Sequence, residues 1–139
     1  MFLGPGTPRQ ILMQINNPET VAELQKLYPL YEAALMANDA ETLTRMFWAS
    51  PHVTRFGLTE NLHGIDEIAA FRKGRPAINL ARAVKRLDIV TFGSDCGSVT
   101  LEFERVVDGR TVRGRQTQTW IRLPEGWRIV SAHVSVLPG

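Results

Sequence analysis

The sequence has a single cysteine, Cys96, in 139 residues, so it can form no internal disulfide and no thiolate metal cage. Its three histidines, His52, His63 and His133, sit at no metal-ligand spacing. It also lacks a glycine-rich phosphate loop, a G-x-S-x-G elbow and an H-E-x-x-H pair. No run approaches the roughly 18 apolar residues of a membrane span, and the opening stretch has no secretory apolar core. These absences lead us to expect a cytoplasmic protein in a reducing compartment, with no metal, no cofactor and no membrane partner. Lysine is scarce as well, only three of the sixteen basic residues, the other thirteen being arginine. The net charge is only +2, too little for a phosphate-backbone binder, so nucleic acid drops out as a partner. Arginine's planar fork grips carboxylates bidentately where lysine is a point charge. A GC-rich coding bias would raise the same count with no ligand involved.

With 44% hydrophobic and 22% charged residues, the chain has the composition of one globular domain. A chain of this length buries roughly 68–70% of its unfolded surface, enough for a core without staples. Residues 1–12, with Gly4-Pro5-Gly6-Thr7-Pro8, read as a flexible extension, leaving 13–139 as the domain. Asn17-Pro18-Glu19 starts a helix, and Val21, Leu24, Leu27, Tyr28, Tyr31 and Leu35 carry it to about Ala37 at helical spacing. Pro29 inside it predicts a kink. Asp39 caps a second helix with Leu43, Met46 and Phe47, ended by Ser50-Pro51. A short strand over 53–56 is followed by a loop over 57–64, and a third helix runs from Ile65 to Lys73.

From Ala81 the period changes to that of strands, over 83–92, 98–107, 111–123 and 127–136, separated by turn residues. Asp108-Gly109 is a two-residue hairpin signal that pairs 107 with 110 and so sets Glu104 across from Arg113 and Glu102 across from Arg115. The opposite face then carries Val99, Leu101 and Phe103 with Gln116, Gln118 and Trp120. Three N-terminal helices wrapping a curved antiparallel sheet give an α+β fold, a cone-shaped barrel whose interior is a ligand pocket.

Few residues in this frame can carry chemistry. Tyr31 is on the apolar stripe and its hydroxyl needs a partner, in the core or in a pocket. Arg55 fits a solvated strand cation or an anion anchor. Arg72 and Arg75 suit the helix C-terminus or a ligand. Trp48 is core or pocket wall. Ser131, His133 and Ser135 share a strand face that is either solvent or pocket.

Glu32-Ala33-Ala34-Leu35, Asn38-Asp39 and the closing stretch Gly126-Trp127-Arg128-Ile129-Val130-Ser131 resemble the SnoaL-like, nuclear-transport-factor-2-like cone fold over about residues 14–137. More specific are Thr54-Arg55-Phe56-Gly57, Glu60-Asn61-Leu62-His63-Gly64, Phe71-Arg72-Lys73-Gly74-Arg75-Pro76 and Arg115-Gln116-Thr117-Gln118-Thr119-Trp120. These words resemble the AtzH/HpxZ family. The resemblance implies a cofactor-independent, decarboxylating amidohydrolase that converts 1,3-dicarboxyurea to allophanate in cyanuric acid (s-triazine) breakdown. It implies Tyr31 and Arg55 as catalytic residues. Arg72, Arg75, Trp48, Asn61, Gln116, Gln118 and His133 are the substrate-binding candidates. His63 stands where the family is expected to carry an aromatic. A homodimer or homotetramer formed on the outer sheet face, and association with a pathway amidase, are also implied. Two other readings stay open: a non-catalytic small-anion binder or accessory subunit of an oxalurate-type amidase, and a steroid-isomerase-like activity using Glu60 or Asp39 as base.

Overall fold

The computed structural model describes residues 12–76 and 81–139, so all of the expected 1–12 extension except Leu12 lies outside the described residues. Helix α1 spans Pro18–Met36. The Asn17 side chain accepts the N–H groups of Glu19 and Thr20, and Pro18 occupies the first turn, where no donor is needed. Its buried residues Leu24, Tyr28, Tyr31 and Leu35 step by four, three and four, which turns both tyrosines inward. Pro29 falls on the exposed side, and the helix continues through it.

Helix α2 covers only Ala40–Arg45, with Asp39 as its cap. It stops earlier than its apolar spacing predicts because the next backbone pairs with the sheet. Ile129 N–H donates to the Met46 carbonyl and Trp48 N–H to the Ile129 carbonyl, each at 2.9 Å. That pairing places Phe47 in the core.

Strand β1 is Thr54–Phe56, and the segment expected as a loop holds a second strand, β2, Asn61–His63. Gly57 N–H donates to the Glu60 carbonyl at 2.9 Å and closes the turn between them. Helix α3 is Ile65–Gly74. Then follow β3 Ala83–Phe92, β4 Cys96–Val107, β5 Arg110–Leu123 and β6 Gly126–Val136. The six strands form one sheet in the order β2-β1-β6-β5-β4-β3, with β1 parallel to β6 and all other neighbours antiparallel. The sheet is curved and unclosed, and the helices pack on its concave side in an α+β cone.

Asp108 and Gly109 have φ of 51° and 76°, the left-handed pair that a two-residue hairpin matched to strand twist demands. The β4–β5 register runs unbroken from Val107–Arg110 to Cys96–Ile121, with Glu104 facing Arg113 and Glu102 facing Arg115. Val99, Leu101 and Phe103 on β4 and Gln116, Gln118 and Trp120 on β5 are buried. Gly114 faces Phe103, and any side chain there would overlap the Phe103 ring.

Candidate active site

A cavity of about 480 Å³ opens between the helices and the concave sheet. Tyr31 reaches it from α1, Arg55 from β1, Glu60 from the β1–β2 turn, and Phe71 and Arg75 from the end of α3. The sheet side contributes Arg82, just before β3, with Phe103, Arg105 and Gln116. Apolar walls with a few convergent polar groups are the usual form of a small-molecule site. Unusual here is the density of guanidinium groups.

Tyr31, 3% exposed, is the centre. The fully buried Arg72 donates from Nη2 to the Tyr31 hydroxyl at 2.9 Å. The hydroxyl's own hydrogen meets no acceptor among the described residues, which leaves it for a ligand. Burial alone would push this phenol up, but the charges of Arg72, Arg55 and Arg82 and the Arg72 hydrogen bond outweigh it and hold Tyr31 below the usual phenol range. Tyr28, one turn earlier, goes the other way. Its burial, the Glu32 charge and its 2.6 Å hydrogen bond to Glu32 Oε1 push it well up. One helix face therefore holds an acidified phenol at the cavity and an inert one beside it.

Arg55 is 6% exposed and donates to Glu60 Oε2 at 2.7 Å. The Glu60 carboxylate also takes the Thr59 N–H and hydroxyl, each at 3.1 Å, and lies over Gly57, where a side chain would collide with it. Burial opposes the charge on Glu60, but the Arg55 bond prevails and holds its carboxyl below the ordinary value. Arg82 grips Glu32 from Nε at 3.2 Å and Nη2 at 2.5 Å. Its Nη2 also donates to Gln116 Oε1 at 3.0 Å, while Gln116 Nε2 donates to the Tyr28 hydroxyl at 3.0 Å. This closed network of Glu32, Tyr28, Gln116 and Arg82 fixes one wall of the cavity.

Of the residues singled out in the sequence, Tyr31, Arg55, Arg75 and Gln116 line the cavity. Arg72 does not; it sits behind Tyr31, hydrogen-bonded to its hydroxyl. Gln118 is a layer deeper, accepting the Trp120 indole N–H at 2.9 Å. Three others do not line this cavity. Trp48 packs half-buried against the core, its ring beside that of His52, outside the cavity. Asn61 is exposed on the short strand β2. His133 is exposed on β6, beside Phe56 and across from Thr117, and edges a small recess that Tyr31, Arg55, Gln116 and Gln118 also line. Of the two bases the isomerase reading offers, Glu60 lines the cavity but is paired with Arg55, which lowers its carboxyl and so weakens it as a base, and Asp39 is an exposed helix cap away from the cavity. Arg82 and Arg105, absent from the residues singled out in the sequence, are also cavity residues. Arg105 was legible, since strand parity sets it on the same face as Leu101 and Phe103. Among the described residues no three His, Cys, Asp or Glu side chains converge on a metal-sized site, and no helix is long and apolar enough to cross a membrane.

A protein of the DUF3225 family from Pectobacterium atrosepticum SCRI1043, described as of unknown function, is 44% identical; the match covers 89% of this chain and 95% of that one, with a TM-score of 0.85. A cystatin-like fold protein from Burkholderia xenovorans LB400 is 40% identical over 91% of this chain and 98% of its own, with a TM-score of 0.83. At 22% identity, a nuclear-transport-factor-2-like protein from Novosphingobium aromaticivorans, covering 88% of this chain and 84% of its own with a TM-score of 0.67, shares the fold. No curated protein matches the chain. The family model described as AtzH-like matches residues 13–139, nearly the whole sequence, and the chain belongs to that family.

Proposed function

We propose that this cavity decarboxylates a small N-carboxylated urea, 1,3-dicarboxyurea, to allophanate, with Tyr31 as general acid. The observation that supports this most is an acidified Tyr31 hydroxyl, held by Arg72, in the wall of a cavity where Arg55, Arg75, Arg82 and Arg105 converge. Two carboxylates on one small molecule suit such a field.

Loss of carbon dioxide breaks the bond between the terminal carboxylate carbon and nitrogen, and the bonding pair stays on nitrogen. An amide anion is a poor leaving group, so nitrogen takes the Tyr31 proton as the bond breaks. The dianion and one proton thus become the allophanate monoanion and carbon dioxide, and water returns the proton to Tyr31. General acids work best with a pKa near the working pH, which is the direction in which the guanidiniums move Tyr31. The resulting phenolate is stabilised where it forms, opposite Arg72. Arg55, pinned by Glu60, adds to that field. The apolar walls, Leu35, Phe71 and Val134 among them, weaken hydration of the carboxylate that loses its charge.

Purified protein mixed with 1,3-dicarboxyurea should release allophanate and carbon dioxide in equal amounts, well above the spontaneous rate. Tight binding of dicarboxylates with no turnover would replace this reading by that of an anion-binding subunit. Neither binding nor turnover would reject both.

A further inference from the structure

We propose that Arg75 and Arg105, rather than Arg55, hold the two carboxylates of a dianionic substrate, an assignment that rests on the dicarboxylate reading above. Five guanidiniums gather at or behind the cavity, those of Arg55, Arg72, Arg75, Arg82 and Arg105. Three are already committed. Arg55 is joined to Glu60 at 2.7 Å, Arg82 to Glu32 by two hydrogen bonds, and Arg72 to Tyr31 by Nη2, its Nε and Nη1 being buried and unpaired but outside the cavity lining and so out of a ligand's reach. The side chains of Arg75 and Arg105 have no hydrogen-bond or carboxylate partner among the described residues; their neighbours are aromatic faces. Arg75 Cζ lies 4.8 Å from the Phe71 ring centroid, and Arg105 Cζ lies 5.6 Å from that of Phe103. The Arg105 Nε is buried and unpaired. A buried donor left without a partner costs free energy that a ligand carboxylate would return.

The two cations stand on different walls, the end of α3 and strand β4. Burial, then repulsion from Arg72 and Arg55, pulls Arg75 down to about 10; burial, then Arg82, lowers Arg105. Each therefore has its own repulsive neighbours, and each is relieved by an anion of its own. Charge counting gives the same answer. Five guanidiniums against Glu60 and Glu32 leave a surplus of three positive charges. A dianion matches two of them. The third, Arg72, faces the Tyr31 oxygen, where negative charge appears when the proton leaves.

The test uses the full-length protein and two probes that differ by one carboxylate. 3-Oxoglutarate has its carboxylates at the separation found in 1,3-dicarboxyurea, with methylenes for the N–H groups; acetoacetate lacks one of them. Calorimetric titration of wild type should show 3-oxoglutarate binding roughly 10- to 100-fold tighter, the range of one charge-assisted hydrogen-bonded pair. Arg75→Gln and Arg105→Gln should each weaken 3-oxoglutarate by that factor, while acetoacetate, which needs one anchor, weakens in only one of the two variants; in the other the dianion preference should largely disappear. Melting of each unliganded variant checks the fold, and removing an unpaired cation should raise its melting temperature. If a glutamine variant fails to fold, the lysine variant at that position is used, and it should keep part of the dianion preference. A full dianion preference surviving in both variants, in a protein that turns over 1,3-dicarboxyurea, would overturn this assignment alone. A wild type with neither dianion preference nor turnover would overturn the underlying reading.

Discussion

The two tyrosines of this chain should titrate in opposite directions, and Arg72→Met should bring Tyr31 back up. Tyr31 lies below the usual phenol range because guanidinium charges outweigh its burial, and Tyr28 lies above it because burial and Glu32 act together. Tyrosinate absorbance in the folded wild type should thus show one phenol ionising below pH 10 and none further until the protein unfolds. The Arg72–Tyr31 bond joins a cation to a developing anion, an interaction of about 1.5–3 kcal/mol. Its loss in Arg72→Met moves the first step upward by about one to two pH units. Stability carries the same signature. A phenol whose folded pKa is depressed contributes nothing below its folded pKa. The contribution grows as pH rises through that value and is complete above the unfolded value near ~10, about 1.4 kcal/mol for each pH unit between the two. Tyr28, with its folded pKa raised, takes stability away in the region above ~10. Comparing wild type with Tyr31→Phe by urea denaturation across that range isolates the Tyr31 part. Both phenols titrating at or above pH 10 in wild type, or an unchanged first step in Arg72→Met, would refute the electrostatic reasoning.

Three further outcomes follow from the packing. Arg55→Met strands the Glu60 carboxylate, whose side chain is only 18% exposed, and should destabilise by about 3 kcal/mol, while adding Glu60→Leu should recover much of that; urea denaturation of both variants measures it. Gly114→Ala drives a methyl group into the buried Phe103 ring and should cost about 1–3 kcal/mol in a thermal melt and weaken anion binding, because Phe103 lines the cavity. Thr100, Thr117, Thr119 and Ile121 alternate along the outer side of β4 and β5, and light scattering should show self-association through that face, abolished by Thr117→Lys.

How much of this was legible in the sequence depended on the range of the interactions involved. The Asp108-Gly109 turn sets its own register through two backbone conformations, so every β4–β5 pair down to Cys96–Ile121 could be counted off from it. The Asn17 and Asp39 caps were equally local. Strand β2 was missed because its three residues carry no periodicity, and only its pairing with β1 makes it a strand. Helix α2 is shorter than its sequence suggests because Met46 and Phe47 suit a helix while their backbone is claimed by Ile129, more than 80 residues away. At the site, Tyr31 and Arg55 came from the family resemblance and Gln116 from hairpin parity. Arg82 could not be read at all, since its importance lies in Glu32, 50 residues back, and Gln116, 34 ahead. Alternation alone does not fix the face of His133, which follows from the β5–β6 register, and that register shifts at Thr119–Trp120 where two residues of β6 oppose one step of β5.

Tyr31→Phe removes one oxygen and keeps the ring between Tyr28 and Phe47, so it tests whether Tyr31 gives its proton to the departing nitrogen. Steady-state release of carbon dioxide from 1,3-dicarboxyurea, corrected for the spontaneous reaction, should show kcat reduced by about 10²–10⁴-fold with KM little changed. Wild-type kcat in Tyr31→Phe would contradict it.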